Sequence, residues 1–204
     1  MMKGRGSWLL GLAFVLAMVP AQGASAASRC AKTGSSTIAE NSLVRVYRFA
    51  DTSNGRALTY HSCLKSNGRR VRMAIVSERR KIKLVRLTKQ FVGFRSAIDG
   101  DTDFVSFVNA ATSRRPTTYA TEGEVRSLAI NKYGYLAWTV DNYADPPMVS
   151  ETLWAITEFS GKQLFDYAEY EPGAAMPITN LSFSGGVLKW KHNGEPRSRT
   201  TVGV

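Results

Sequence analysis

The sequence predicts an all-β domain made of repeated four-stranded antiparallel units, either about four small propeller-like blades or an incomplete propeller. Three observations predict this class. Beyond residue 26, short stretches alternate between apolar and polar residues, and turn-forming residues interrupt them about every 8–12 residues. Two-stranded hairpins with matching apolar positions recur along the chain. The composition, 44% hydrophobic and 21% charged, is typical of a folded globular chain and not of a disordered one.

Residues 1–26 are predicted to be a signal peptide. Lys3 and Arg5 provide a basic start, 12 apolar residues follow from Trp8, and Ala24-Ser25-Ala26 supplies the small residues of a cleavage site. As a helix the apolar run would span about 18 Å, well short of a hydrocarbon core of ~30 Å. Cleavage is therefore favoured over the alternative, an uncleaved membrane anchor. We expect a secreted, extracytoplasmic protein that does not span a membrane, with one domain over residues 27–204.

Two cysteines, Cys30 and Cys63, follow the predicted cleavage site. An even pair in an oxidising compartment predicts one disulfide, and two free thiols are the alternative. Closing a loop of roughly 34 residues would stabilise the fold by about 3–4 kcal/mol in the chain-entropy description. The bridge would hold the start of the mature chain against the body of the domain.

The recurring hairpins are of two types. Alternation over Leu43–Phe49 begins the strand pattern, and turn pairs such as Asn67-Gly68 and Asn193-Gly194 suit tight hairpins. Hairpins of the first type cover Ile82–Phe94, Val125–Trp138 and Ile178–Trp190, and hairpins of the second type cover Tyr60–Arg72, Phe104–Arg115 and Leu153–Phe165. We expect Trp138 and Trp190, at matching positions, to be core anchors of their hairpins and not ligand platforms.

The first-type hairpins begin at Ile82, Val125 and Ile178, which are 43 and 53 residues apart. A period of roughly 40–50 residues with four short strands is that of a propeller blade. The last unit ends after about three strands, and Ser36–Ala39 is predicted to supply a strand that closes the ring. The alternative architecture is a β-sandwich or an open twisted sheet.

The hairpin Ser127–Trp138 resembles the repeat of TolB-like and WD40-like β-propellers. More closely, the chain resembles exported actinobacterial proteins of unknown function that end in a Ser-Leu, Leu-x-Trp, Gly-x-x-Arg-Ser pattern. Here that pattern is Asn180-Leu181, Leu188-Lys189-Trp190 and Gly194-Glu195-Pro196-Arg197-Ser198, with Asn in place of Ser. Pro-Asp-Gly turns, Trp-Asp pairs and Gly-His pairs are absent from the sequence. The resemblance implies the propeller-like fold and export, and it implies no particular chemistry.

Few catalytic chemistries fit this sequence. The two histidines, His61 and His192, lack the spacing of a zinc site, and there is no Gly-x-Ser-x-Gly elbow, Walker A loop or Gly-x-Gly-x-x-Gly loop. We expect no metal, no cofactor and no catalytic residue. The turn Asp99–Asp103 resembles the start of a calcium loop, but Ala110 stands where a bidentate Glu should close it, so a solvated hairpin tip is favoured.

The acidic residues support an alternative function. Seven acids lie between Asp141 and Glu171 against the single base Lys162. Paired carboxylates such as Asp141 and Asp166 would suit a small exported hydrolase or lyase on a β-propeller scaffold. The charge asymmetry along the chain would also suit a self-assembling envelope component.

The net charge is the strongest functional signal, because 27 Lys and Arg residues outnumber 16 acids and give +11. Eleven bases lie from Lys65 to Arg95 with only Glu78 against them. The predicted binding residues are Arg69, Arg70, Arg72, Arg79, Arg80, Lys81 and Lys83. A face with these residues would attract polyanions such as anionic polysaccharide, wall polymer or lipid head groups. Nucleic acid is disfavoured, because only Phe91 and Phe94 interleave with the bases.

The sequence therefore predicts a secreted, non-catalytic binding or scaffold module that engages anionic envelope polymers through a basic face. A merely solubilising basic surface is the simpler alternative. The sequence leaves the oligomeric state open.

Overall fold

The structure of the protein, a computed structural model, describes residues 29–51, 57–77, 82–99, 102–112, 114–142, 148–156 and 161–201. The predicted signal peptide lies outside these residues. Strands dominate the described chain and form four antiparallel sheets, which confirms the all-β class. None of the described residues forms a helix that is long and apolar enough to cross a membrane.

Each sheet is built from strands that follow one another in the chain. Sheet 1 contains β1 (Ser36–Glu40), β2 (Val44–Asp51), β3 (Ala57–Leu64) and β4 (Arg69–Ser77). Sheet 2 contains β5 (Lys83–Thr88), β6 (Phe91–Asp99), β7 (Thr102–Asn109) and β8 (Thr117–Ala120). Sheet 3 contains β9 (Glu124–Ile130), β10 (Leu136–Asn142), β11 (Val149–Ile156) and β12 (Gln163–Tyr170). Sheet 4 contains β13 (Ile178–Ser184), β14 (Val187–His192) and β15 (Glu195–Thr200).

Each repeat unit predicted from the sequence corresponds to one sheet of the structure. The three hairpins of the first type are β5–β6, β9–β10 and β13–β14, and the last unit has three described strands, as expected. The prediction that Ser36–Ala39 would close the ring is wrong. These residues form β1, which pairs with β2 in register Ser36 to Arg48 and Glu40 to Arg45, inside sheet 1.

The sheets stack in chain order because each neighbouring pair encloses an apolar cluster. Between sheets 1 and 2 the cluster contains Val46, Tyr60 and Phe94. Between sheets 2 and 3 it contains Phe107 and Trp138, which is fully buried. Between sheets 3 and 4 it contains Leu153, Leu188 and Trp190. Trp138 and Trp190 are thus core anchors, as predicted.

The first strands of successive sheets lie next to one another. β1 contacts β5, β5 contacts β9, and β9 contacts β13. The sheets therefore fan out from one row of strands, as the blades of a propeller do at their axis. None of the described sheets is closed into a barrel. The arrangement is therefore consistent both with a propeller-like fold and with the open-sheet alternative.

The stacking leaves one face of sheet 1 and one face of sheet 4 outside the apolar clusters that lie between the sheets. Residues alternate between the two faces of a strand. On sheet 1 the face turned away from sheet 2 carries Tyr47, His61 and Cys63, and we call it the N-terminal face. On sheet 4 the face turned away from sheet 3 carries Lys189 and Lys191, and we call it the C-terminal face.

The predicted disulfide joins Cys30 to Cys63, with 5.8 Å between the Cα atoms and both residues fully buried. It holds the segment before β1 against the N-terminal face. Two arginines of sheet 1 bind the same segment through its carbonyl groups: Arg45 Nη1 donates to Cys30 O at 3.0 Å, and Arg70 Nη2 donates to Ala31 O at 3.2 Å. The covalent and the polar contacts together fix the start of the described chain.

Candidate functional site

Two rows of side chains cross the N-terminal face. Strand pairing places Arg45 opposite Cys63 and Cys63 opposite Arg70. The neighbouring row is Tyr47, His61 and Arg72. Directly paired residues of antiparallel strands lie on the same face. Arginines therefore lie on both sides of Cys63, and His61 has Arg72 on one side and Tyr47 on the other.

Aromatic rings form the floor of this face. The His61 ring lies 5.7 Å from the Tyr47 ring and 5.4 Å from the Phe49 ring, centroid to centroid, with planes 13° and 22° apart. Tyr47 is fully buried. Cations cover the outer rings, with Lys32 Nζ 3.0 Å from the Phe49 centroid and the Arg45 guanidinium 5.4 Å from the Tyr47 centroid. The rings thus act as a supporting layer, and the positive groups form its surface.

The electrostatics of this face show in the pKa of His61. Burial of the ring, together with the charges of Lys32, Arg70 and Arg72, lowers this pKa to about 4. The imidazole is therefore neutral at pH 7. Among the described residues no carboxylate lies within 4.0 Å of the cationic groups of Lys32, Arg45, Arg70 or Arg72. We call these four residues the cationic set.

The structure divides the predicted binding residues. Arg70 and Arg72 lie two residues apart on β4 and share the N-terminal face. Arg69 lies on the opposite face of the same strand and donates to the carbonyl oxygen of Ala111. Lys83 begins β5, in sheet 2. Arg79, Arg80 and Lys81 lie outside the described residues.

Other bases of the same segment are neutralised by acids that are distant in sequence. Lys65 pairs with Glu40 and also donates to Asn41 O at 2.7 Å. Arg95 is 2.7 Å from Asp103 Oδ2 and 3.2 Å from Glu124 Oε1. The described basic segment therefore does not form a single face.

Sequence reasoning missed Lys32. This residue is not in the basic segment, but it follows Cys30 by two positions, and the disulfide brings it over Phe49. The predicted disulfide was the signal from which its position could have been inferred. Arg45 was visible only as one of several bases near the segment.

The acids proposed for hydrolysis are arranged differently from a catalytic pair. Asp141 lies directly opposite Glu151 on β10 and β11, and both are almost completely buried, at 1% and 0% exposure. Arg126 Nε lies 2.6 Å from Asp141 Oδ2, and Ile178 N donates to Glu151 Oε2 at 2.8 Å. This pair links sheets 3 and 4 and offers a substrate no exposed carboxylate.

Asp166 is also bound by the protein itself. It accepts hydrogen bonds from Trp190 Nε1 at 2.5 Å and interacts with His192 Nδ1 at 2.9 Å. Burial alone would raise the pKa of Asp166, but the hydrogen bonds from Trp190 and His192 outweigh it and lower the pKa. Because β11 lies between the strands of Asp141 and Asp166, the structure does not bring these two acids together as neighbours.

The acidic turn after β6 differs from the expected solvated tip at Asp103. That side chain is 4% exposed, is paired with Arg95, and accepts a hydrogen bond from Val125 N at 2.8 Å. Asp101 lies outside the described residues. Within the described ranges, no group of three or more His, Cys, Asp or Glu side chains is placed to hold a metal ion.

Comparison with known proteins adds two distant structural likenesses. No protein-family model matches the chain, and no curated protein matches it. A prolyl endopeptidase chain aligns with 82% of this chain at 11% identity and a TM-score of 0.41, and this chain covers 28% of its length. An uncharacterized protein from Listeria monocytogenes aligns with 83% at 6% identity and a TM-score of 0.38, with 68% of that protein covered.

Proposed function

We propose that the protein is a secreted, non-catalytic binding module that engages anionic envelope polymers through the N-terminal face. One observation carries this proposal: the cationic set shares one side of sheet 1 without a described carboxylate partner. Unneutralised cations over a low-dielectric floor attract polyanions more strongly than the same charges spread over the surface.

The two arginines that hold the N-terminal segment are well suited to anion binding. Arg45 and Arg70 each use part of their guanidinium group on carbonyl oxygens of that segment. A guanidinium has five N–H donors, so each keeps donors for a phosphate or carboxylate group. Because these side chains are already oriented, less conformational entropy is lost on binding.

The disulfide supports an extracytoplasmic location for this function. Disulfides persist in oxidising compartments and are rare in reducing ones. Wall polymers and acidic polysaccharides are polyanions that a secreted protein meets there. Lipid head groups share the same anionic chemistry, so vesicles form a separate arm of the test.

The double variant Arg70→Gln/Arg72→Gln tests the proposal. At low salt we expect its affinity for an acidic wall polymer to fall by about tenfold, roughly 1.4 kcal/mol. The slope of log K against log salt should flatten by about 1 to 2, because up to two ionic contacts are lost. Fluorescence anisotropy with labelled polymer measures both quantities.

The matched control is Arg114→Gln/Arg115→Gln, which removes the same charge from two exposed arginines between β7 and β8. We expect this control to bind nearly as the wild type does. Equal weakening in the two double variants would show that net charge alone drives binding. Binding to anionic vesicles but not to polymer would move the function to the membrane surface.

A further inference from the structure

The C-terminal face holds a cleft of about 380 Å³ that the proposed function does not use. On this face its lining includes Lys189, Lys191, Pro196 and Ser198, next to Asn180. Trp190 and Arg197, which pair with each other and belong to the opposite face of the sheet, also border it. Lys189 and Lys191 lie on β14, the central strand of sheet 4, and both are exposed. Alternation along β14 turns Leu188 and Trp190 into the core and these two lysines outward.

Local backbone features open this cleft. The β13–β14 register shifts between Thr179 and Ser182, and Asn180, in that interval, has a φ of 55°. Asn tolerates this left-handed conformation better than most residues. On the other side β15 pairs only with β14 among the described strands, and Pro196 stands opposite Lys191. Proline is tolerated on such an edge strand because it needs no ladder hydrogen bond.

The two lysines of the cleft are not balanced by nearby acids, whereas Arg197 Nη1 lies 3.8 Å from Asp166 Oδ1. Among the described residues no carboxylate lies within 4.0 Å of Lys189 Nζ or Lys191 Nζ. Glu195 is opposite His192, on the other face of the sheet. Two lysines two positions apart on a strand are separated by about 6.6 Å along it. One polyanion with repeated charges could contact both.

We propose that the C-terminal face is a second anion-binding site and that the protein therefore bridges two anionic chains. The inference rests on the proposed function for the class of ligand. The described apolar clusters join sheets 1 to 2, 2 to 3 and 3 to 4. Two faces of like charge resist packing against each other, which keeps both open to ligand. Two sites on one rigid body give avidity and cross-linking on long polymers.

Short and long polyphosphates separate binding from bridging. With tripolyphosphate, calorimetry should give two sites for the wild type and one site for either Lys189→Gln/Lys191→Gln or Arg70→Gln/Arg72→Gln. With long-chain polyphosphate, the wild type should raise light scattering near equivalence. Each double variant should bind the polymer and lose most of the scattering, whereas Arg114→Gln/Arg115→Gln should scatter as the wild type does.

The outcomes distinguish the two proposals. If Lys189→Gln/Lys191→Gln keeps the wild-type stoichiometry and scattering, the proposal of a second site is wrong. The proposal that the N-terminal face binds anions is not affected by that result. If only that variant loses a site, the second site stands and the N-terminal face fails. A wild type that takes up no tripolyphosphate at low salt overturns both sites. Circular dichroism and Trp fluorescence confirm that the variants are folded.

Discussion

Replacing Glu151 by glutamine is expected to change how the free energy of unfolding depends on pH. Burial, together with the neighbouring charge of Asp141, raises the pKa of Glu151 from 4.5 to about 7. The folded state therefore binds this proton more tightly than the unfolded chain does. The resulting stabilisation is fully present below pH 4.5 and is lost as the pH rises through 7. Glutamine removes this dependence because it carries no charge at any pH.

The expected size follows from that shift. One pKa unit corresponds to about 1.4 kcal/mol, so the variant should gain up to about 3 kcal/mol relative to the wild type between pH 4.5 and pH 8. Groups that face the carboxyl are Asp141 with Arg126, Thr139 and the Ile178 N–H, and glutamine keeps an acceptor for Ile178. Urea unfolding at several pH values measures the difference.

The exposed acid Glu171 provides the control. Glu171→Gln should leave the difference from the wild type flat across the same pH range, because its side chain is on the surface. A flat difference for Glu151→Gln would mean that the pKa of this carboxyl is the same in the folded and in the unfolded protein. That result would contradict the buried cross-strand pair.

The repeat in the sequence predicted where sheets 2, 3 and 4 begin, but it did not predict which hydrogen bonds connect one sheet to the next. Val125 and Ile178 occupy matching hairpin positions, and both are buried. Each donates its backbone N–H to an acid on the third strand of the preceding sheet, Asp103 for Val125 and Glu151 for Ile178. A periodic pattern of apolar residues indicates which positions are buried. Asp103 and Glu151 are buried acids of different type, so they interrupt that pattern instead of contributing to it. A hydrogen bond between sheets leaves no periodic signal of its own.

The wrong prediction that Ser36–Ala39 supplies a strand to the last unit has a local cause. Asn41 Oδ1 accepts hydrogen bonds from Leu43 N at 2.8 Å and from Val44 N at 2.7 Å, and Asn41 N donates to Val44 O. These contacts turn the chain directly back, so that β1 pairs with β2. Closing such a short loop costs less entropy than joining the two ends of the chain. Ser36–Ala39 was assigned to the last unit because that unit has about three strands, and the turn at Asn41 was not considered.

The cationic set depends on details that composition does not contain. The β3–β4 register shifts between Tyr60 and His61, which places Arg72 opposite His61. Which arginines share a face follows from that irregularity, and a one-residue slip would exchange the two faces. Neutralisation of Lys65 and Arg95 likewise depends on acids from other strands. Counting bases along the segment therefore located Arg70 and Arg72 but could not separate them from Arg69.

Replacing His61 by phenylalanine is expected to have the opposite pH effect to Glu151→Gln. The pKa of His61 is lowered from 6.5 to about 4, so the unfolded chain takes up this proton more readily. The associated stabilisation is fully present above pH 6.5 and is lost as the pH falls through 4. Phenylalanine keeps a ring between Tyr47 and Phe49 and cannot be protonated. On acidification from pH 7 to pH 4 the variant should gain up to about 3 kcal/mol relative to the wild type.

The pH ranges over which His61 and Glu151 change the free energy of unfolding overlap, and the two effects have opposite signs. The wild type should therefore show a shallower pH dependence of stability between pH 4.5 and 6.5 than either variant.

NMR isolates the histidine effect, because the chain contains only two imidazoles, His61 and His192. Removing the charges of Arg70 and Arg72 should raise the pKa of His61. A bound polyanion should raise it too, and by linkage polymer binding should tighten as the pH falls. A wild-type His61 that titrates near 6.5 would contradict the buried ring and the charges placed around it.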